Sequence, residues 1–198
     1  MSTAINQLIE AEGLPADYRD IVDRHWRPLS EDIAERYADN LGGKPLVVGI
    51  NGAQGSGKTT LCRFLEVLLF EGWCLGAVPQ DEADLAEPVN ALEAAEDPDC
   101  VWRRYVNRAL REDYAKLFAE LDMLIMLKVP DFDTVRRNRA LQEDKLRARD
   151  PDAPGLMDAA ALKRFLDQDE RLTLHMFAEM PARADILIEI APDQRPFG

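Results

Sequence analysis

Residues 46–65 read LVVGINGAQGSGKTTLCRFL and are the most informative segment of the chain for its fold. It opens with a short apolar run suited to a buried parallel strand and closes with a segment typical of a helix. Between them, Gly52 to Thr59 matches the pattern G-x-x-x-x-G-K-[ST]. A strand, a glycine-rich loop and a helix in this order are the context that a phosphate-binding P-loop requires, so a plain glycine-rich turn is the weaker interpretation.

The residue types in this loop indicate what it binds. Glycines let successive backbone N–H groups face inward, and the following helix points its positive end at the same place. Lys58 is predicted to reach the β- and γ-phosphates of ATP, and the Thr59 hydroxyl is predicted to coordinate Mg²⁺. The predicted nucleotide-binding residues are Gly52, Ala53, Gln54, Gly55, Ser56, Gly57, Lys58, Thr59 and Thr60.

The remaining sequence alternates between helical and strand patterns, which predicts an α/β domain with a parallel sheet flanked by helices. Three short helices are expected before residue 41. The last of them is predicted over residues 31–40, with Ser30 as its N-cap. Apolar and aromatic residues spaced by three and four predict one long helix over about 100–121, with this stripe in the core. The later predicted elements are a strand at 123–127, an Arg-rich helix at 132–149, a helix at 158–180 and a strand at 184–190.

Composition limits the possible partners. The chain has 198 residues and a net charge of −13, which disfavours a non-specific grip on nucleic acid or on anionic membranes. Three cysteines without a CxxC pair predict reduced thiols, and two isolated histidines make a zinc site improbable. Because the N-terminus has no signal-peptide pattern and no apolar run approaches about 20 residues, we expect a cytoplasmic protein. The oligomeric state is not readable from the sequence.

The sequence resembles the P-loop kinase family that contains D-glycerate 3-kinase and is related to uridine kinase, phosphoribulokinase and bacterial pantothenate kinase. The resemblance covers most of the chain from residue 45 onward. It is carried by PLVVGINGAQGSGKTT at 45–60, EGWCLGAVPQ at 71–80, EDPDCVWRRYVNRALREDYAKLF at 96–118, RRNRALQEDKL at 136–146 and ERLTLHMFAEMPARADILIEI at 170–190.

The resemblance implies a single P-loop kinase domain over 1–198, with a helical extension at 1–44, a nucleotide-binding core at 45–198 and a mobile lid at about 131–150. It places Glu71 at the end of a strand beside the phosphates. It also places Arg139, Gln142 and Glu143 in the lid, where arginines such as Arg136 and Arg139 would stabilise charge on the transferring phosphoryl group. Any one of these arginines is alternatively a surface residue that pairs with an acid on its own helix.

The sequence departs from this family directly after the P-loop. Relatives have a further strand, an acidic motif and a substrate-binding loop before the EGW strand, but here only residues 60–70 separate the two. A crossover between parallel strands takes at least a dozen residues, so that unit cannot fit. We predict a spatial break within about 64–71, where a segment was deleted or omitted. The alternative is a helix through Phe70 that leaves Glu71 far from the P-loop.

Two functions follow from these observations. The first is an ATP-dependent kinase that transfers the γ-phosphoryl group to a hydroxyl of a small molecule, by resemblance that of D-glycerate. The second is a nucleotide-binding regulatory or interaction protein that keeps the P-loop but has lost turnover. The second is favoured by the missing segment, because the acidic residue expected to activate the acceptor hydroxyl would be missing with it.

Overall fold

Four parallel strands form one sheet at the centre of the computed structural model, which describes residues 2–39, 45–65 and 69–197. The strands are β1 (Val48–Gly52), β2 (Leu69–Gly72), β3 (Met123–Lys128) and β4 (Ile186–Glu189), in the order β2-β1-β3-β4. All five residues of β1 are buried, as expected for a strand covered on both faces. Strand β2 pairs with one edge of β1, and β3 pairs with the other edge. A crevice therefore opens at the carboxyl end of β1, where ligands bind in sheets of this kind.

Helices cover the sheet, and together with it they confirm the predicted α/β class. The helices are α1 (Ser2–Ala11), α2 (18–39), α3 (Lys58–Phe64), α4 (Ala91–Glu96), α5 (101–118), α6 (Phe132–Arg149) and α7 (Ala159–Glu179). The last two begin at Asp131 and Asp158, whose side chains accept hydrogen bonds from the backbone N–H groups of Thr134 and Ala161. The helices of the described ranges include none that is long and apolar enough to cross a lipid bilayer.

Residues 2–39 form two helices, so the prediction of three was wrong. The second, α2, starts at Tyr18, widens into a π-helical turn over Val22–Trp26 and continues to Asp39. Ser30 therefore lies inside a helix and is not an N-cap; its hydroxyl donates to the Arg27 carbonyl at 3.2 Å. The reason is that the backbone keeps helical angles on both sides of the π turn. Buried side chains of α2 share one apolar core with β1 and α3.

The connection from β1 to β2 is short. Helix α3 has seven residues, Leu65 is extended with φ −102° and ψ 106°, and β2 pairs in parallel with β1 so that Glu71 lies opposite Ile50. A helix running through Phe70 is therefore wrong, because α3 ends at Phe64 and Leu69–Gly72 is an extended strand. The predicted chain break depends on residues 66–68, which lie outside the described residues, and it stays a prediction.

Helix α5 confirms the long helix predicted over about 100–121, but its side chains pack differently from the prediction. The exposed fractions of Val101 and Tyr105 are 70% and 63%, whereas Arg103, Asn107 and Leu110 are buried. The stripe is in the core only in part: Leu110 is buried in the apolar core. Placing its exposed members there was wrong, because the polar side chains of Arg103 and Asn107 face the protein and find hydrogen-bond partners there. Six residues of the stripe line a cavity described below, namely Trp102, Tyr105, Val106, Ala109, Leu110 and Tyr114.

Candidate active site

The loop after β1 and the start of α3 form one wall of a cavity of about 460 Å³, which we call the P-loop cavity. Gly55 and Gly57 have φ values of +73° and +91°, a left-handed conformation that glycine adopts without strain. A side chain at Gly55 would also meet the Cβ atom of Asn138 at 2.8 Å. Both glycines are thus required by the loop's shape. Of the predicted nucleotide-binding residues, those from Gln54 to Thr60 line this cavity.

Lys58 lies across the loop that precedes it. Its ammonium donates to the carbonyl of Gly52 at 2.5 Å and to that of Ala53 at 3.1 Å, so these two residues position the lysine and do not line the cavity. Burial lowers the pKa of the Lys58 ammonium, and the negative charge of Glu71 partly opposes this shift. An ammonium has three N–H donors, which leaves a third to turn toward an anion in the cavity.

The hydroxyls of the loop fit a polyphosphate. The Ser56 hydroxyl oxygen is buried and has no hydrogen-bond partner among the described residues. Thr59 is exposed and lines the P-loop cavity at the start of α3, where the helix dipole favours negative charge. Within the described ranges, no group of three or more His, Cys, Asp or Glu side chains is arranged to hold a metal ion. A Mg²⁺ ion at Thr59 would therefore rely on phosphate oxygens and water for its other ligands.

Glu71 reaches the same cavity from the end of β2. It is exposed, lines the P-loop cavity and interacts electrostatically with Lys58 and Cys62. The pKa of the Cys62 thiol is raised by burial and by this neighbouring carboxylate. The structure therefore brings Lys58, Thr59 and Glu71 together at one cavity.

The two predicted lid arginines lie on α6 but do not line the cavity. Arg136 pairs with Asp133 and with Glu170, each at 2.8 Å. Arg139 pairs with Glu143 at 2.5 Å, and both side chains of this pair are largely buried. The alternative interpretation of these arginines as partners of acids on the same helix thus describes the contact of Arg139 and one of the two contacts of Arg136, whose other partner, Glu170, lies on α7. Their action on phosphate stays a prediction that would require these pairs to open.

A different face of α6 borders the cavity. Asn138, Leu141, Gln142 and Lys145 recur at helical spacing and all line it, so Lys145 is the cation that this helix presents there. The Asn138 side chain donates to the Gly55 carbonyl at 3.4 Å. Sequence reasoning missed the role of Lys145, whose signal is its spacing of seven residues from Asn138. It also missed Gln194, which donates to the same carbonyl at 3.3 Å and carries no local signal.

A second cavity, of about 440 Å³, lies between the turn after β2, helix α5 and helix α7, and we call it the α7 cavity. Trp73 lines both cavities, so they are neighbours. The Asn51 amide at the end of β1 fixes the turn, because it donates to the carbonyls of Trp73 at 3.1 Å and of Leu75 at 2.8 Å. The ring of Trp102 and the stripe residues of α5 provide apolar wall.

Buried charges behind the α7 cavity are matched to one another. Arg171 donates to both carboxylate oxygens of Glu93, at 2.8 and 2.7 Å. Arg103 donates from its Nε to Asp97 at 2.9 Å and lies 3.6 Å from Glu93. Backbone carbonyls of Leu85 and Asp84 accept further guanidinium hydrogen bonds. These arginines hold together the segment between β2 and α5, since each is engaged by acids and carbonyls of that segment.

Asp169 also lines the α7 cavity, but its carboxylate has no arginine partner among the described residues. Burial raises its pKa to about 6, and a hydrogen bond from the Gln54 side chain opposes this. Its Oδ2 atom is buried and has no hydrogen-bond partner among the described residues. The pKa of the Cys74 thiol, on the same cavity wall, is raised by burial and by the charge of Asp169, while Lys58 lowers it. Sequence reasoning missed Asp169, since nothing near it in the chain marks it.

Comparison with solved structures identifies the fold that this arrangement belongs to. The chain is similar to D-glycerate 3-kinase from Cryptococcus neoformans var. grubii, with a TM-score of 0.68 and 14% identity over 88% of this chain and 98% of that chain. It is also similar to the YGR205w protein, with a TM-score of 0.57 and 13% identity over 90% and 96% of the two chains. No family model and no curated protein matches the sequence. At these identities the likeness shows the fold, which is the α/β fold of P-loop kinases.

Proposed function

We propose that this protein is an ATP-dependent phosphotransferase that moves the γ-phosphoryl group to a hydroxyl of a small molecule. The observation that carries the proposal is the meeting of Lys58, Thr59 and Glu71 at the P-loop cavity. A cation, a hydroxyl and a carboxylate around a phosphate-binding loop are the groups that phosphoryl transfer requires for positioning and charge stabilisation. The fold neighbour named as a kinase supports the same class of reaction.

Each of these residues has a part in that chemistry. Lys58 would turn its remaining N–H donor to the β- and γ-phosphates, and the loop's N–H groups would hold the same oxygens. Thr59 would bind Mg²⁺, which neutralises developing charge on the phosphates when present. Glu71 would supply a carboxylate near the same phosphates. Lys145 would add positive charge from α6.

D-glycerate is the first candidate acceptor. The support comes from the EGW and R-x-x-Q-E segments of the sequence and from the name of the solved structure with a TM-score of 0.68. The α7 cavity adjoins the P-loop cavity at Trp73 and has the volume to take a three-carbon acid. In this proposal the acceptor enters the α7 cavity and the nucleotide phosphates occupy the other.

A second candidate function is nucleotide binding without turnover. It is favoured by the direct passage from α3 to β2, because that passage leaves no room for the acidic motif of relatives. A regulatory protein of this kind would bind Mg·ATP through the same loop and would leave the nucleotide intact.

One sample distinguishes the two functions. Thermal melting with and without Mg·ATP measures binding, and ADP release with and without D-glycerate measures transfer. The kinase predicts a raised melting temperature together with glycerate-dependent ADP release. A raised melting temperature with no release for any added hydroxyl compound would support the regulatory function. An unchanged melting temperature would contradict both.

A further inference from the structure

The α7 cavity contains one carboxylate that the buried ion pairs do not use. Arg103 and Arg171 are engaged with Asp97 and Glu93, whereas Asp169 lines the cavity with an unpartnered, buried Oδ2 atom. A buried carboxylate oxygen without a donor is costly, so such a group in a native structure points to a ligand that supplies the donor. An alcohol O–H is a donor of this kind.

Asp169 is also one hydrogen bond from the phosphate-binding loop. The Gln54 side chain donates to its carboxylate and lines the P-loop cavity. Cys74 interacts electrostatically with both Asp169 and Lys58, so the acid and the P-loop lysine both lie near this thiol. A hydroxyl held by Asp169 would therefore lie at the border of the two cavities, where Trp73 contacts both.

We propose that the α7 cavity is the binding site for the hydroxyl-bearing acceptor and that Asp169 is the general base which takes the hydroxyl proton. This inference rests on the proposed phosphotransferase function. It assigns to a residue of α7 the part that the missing acidic motif plays in the family that the sequence resembles. The ligand class is a small compound with a primary or secondary hydroxyl.

The step balances in atoms and charge. The acceptor oxygen forms a bond to the γ-phosphorus, and the bond from that phosphorus to the bridging oxygen breaks, with its electron pair leaving on ADP. The hydroxyl proton passes to Asp169 and later to water. A carboxylate whose pKa is raised to about 6 by burial is charged at neutral pH and is more basic than an ordinary aspartate, which suits proton acceptance.

The charged and titratable groups around Asp169 come from every wall of the cavity. They are Glu93 on α4, Arg103, Tyr105 and Tyr114 on α5, Arg171 on α7 and Cys74 after β2, with Lys58 near the thiol. The two arginines and Glu93 are fixed in ion pairs, and burial raises the pKa of the Cys74 thiol above its ordinary value. A titration near pH 6 in acceptor transfer is therefore assigned to Asp169.

The test compares wild type with Asp169→Asn in the full chain. ADP release is measured with Mg·ATP and either D-glycerate or glycerol from pH 5 to pH 8.5. In wild type, kcat/KM should fall tenfold per pH unit below about pH 6 and level off above it. Asp169→Asn should lower kcat/KM at pH 8 at least a hundredfold, because loss of a general base costs about 10²- to 10⁴-fold in rate. It should also remove the pH dependence. Its melting shift with Mg·ATP should remain.

Asp167→Asn is the matched control, since it makes the same substitution two residues away at a carboxylate that pairs with Lys163 and does not line the α7 cavity. It should keep the wild-type pH profile. Alkylation of Cys74 by iodoacetamide, followed by peptide mass, gives a readout that does not depend on turnover. D-glycerate should slow this alkylation in wild type, and Asp169→Asn should speed it by removing a nearby negative charge.

Two results would overturn the assignment in different ways. If wild type transfers phosphate and Asp169→Asn stays within threefold or keeps the acid limb, Asp169 is not the base while the proposed function stands. If wild type binds Mg·ATP but releases no ADP with either compound, the proposed function fails and this inference fails with it.

Discussion

The P-loop cavity and the α7 cavity adjoin at Trp73 but are built in different ways. The first is formed largely by seven consecutive residues, 54–60, whose glycines shape the backbone. The second is formed by side chains from the turn after β2, from α4, from α5 and from α7, and its charges are balanced in buried pairs. A loop of consecutive residues can hold phosphate wherever a strand and a helix flank it. The wall of distant side chains depends on the packing of the whole domain.

This difference predicts which substitutions unfold the protein and which spare the fold. Substitution of solvent-exposed residues that line the P-loop cavity should weaken nucleotide binding and phosphoryl transfer more than it lowers the stability of the fold. Residues behind the α7 cavity should affect stability first, because removing one partner of a buried pair leaves the other charge uncompensated.

The largest expected effect is that of Arg171→Met. Its guanidinium contacts both oxygens of buried Glu93, so the free energy of unfolding should fall by about 3–5 kcal/mol. Chemical denaturation measures it. The double variant Arg171→Met with Glu93→Leu should recover much of the loss, since no unpaired acid remains. Arg195→Met, at an exposed pair with Asp17, should leave the melting temperature nearly unchanged. Equal effects at both arginines would contradict the contrast.

Lys58→Ala tests the other cavity. At about 100 times Kd, Mg·ATP should stabilise wild type by about 2.7 kcal/mol, and the variant should lose most of this gain because its cation is gone. Without nucleotide the variant should melt near wild type. Thermal melting at several ATP concentrations measures both quantities. A wild-type melting temperature that does not respond to ATP would contradict nucleotide binding at this loop.

The P-loop cavity could be predicted from sequence more easily than the α7 cavity, because its residues are consecutive in the chain. Gly52 to Thr59 could be identified from spacing alone, since strand, loop and helix are consecutive, and α6 begins and ends where its pattern predicts. Asp169 could not be found in this way, because Gln54 and Cys74 approach it only after β2 and α7 pack together. The stripe of α5 misled for the same reason, as Arg103 and Asn107 obtain hydrogen-bond partners from Leu85 and Gln80, 18 and 27 residues earlier in the chain.

A smaller effect is expected on helix α6, where Lys145 and Arg139 can be compared. Lys145 is exposed and lines the P-loop cavity, so Lys145→Ala should lower kcat/KM about tenfold, equivalent to about 1.4 kcal/mol, with an unchanged melting temperature. Arg139→Ala should instead lower the melting temperature, because it leaves buried Glu143 unpaired. Steady-state kinetics and melting of both variants decide it. If Arg139→Ala melts like wild type yet loses activity, the lid role implied by the family resemblance is supported instead.

The smallest effect concerns the stability of Asp169→Asn as a function of pH. In the folded protein the Asp169 carboxyl keeps its proton up to about pH 6, whereas the ordinary value is 3.8. Between these values the folded state binds more protons than the unfolded state, so this residue's contribution to stability falls as pH rises through the window and stays low above pH 6. Asparagine does not titrate, and the variant should therefore gain stability relative to wild type over the same window.

The gain should be about 1 kcal/mol at pH 8 and should vanish near pH 3.5. A shift of about two units corresponds to at most about 3 kcal/mol, and solvent screening of this partly exposed carboxyl reduces it. Urea denaturation of both proteins at several pH values measures the difference, in which the contributions of all other acids cancel. A charged group retained at a cost in stability is what a functional site predicts. A difference that does not change between pH 4 and pH 8 would mean that the carboxyl titrates as an ordinary aspartate, and the general-base assignment would lose its support from burial.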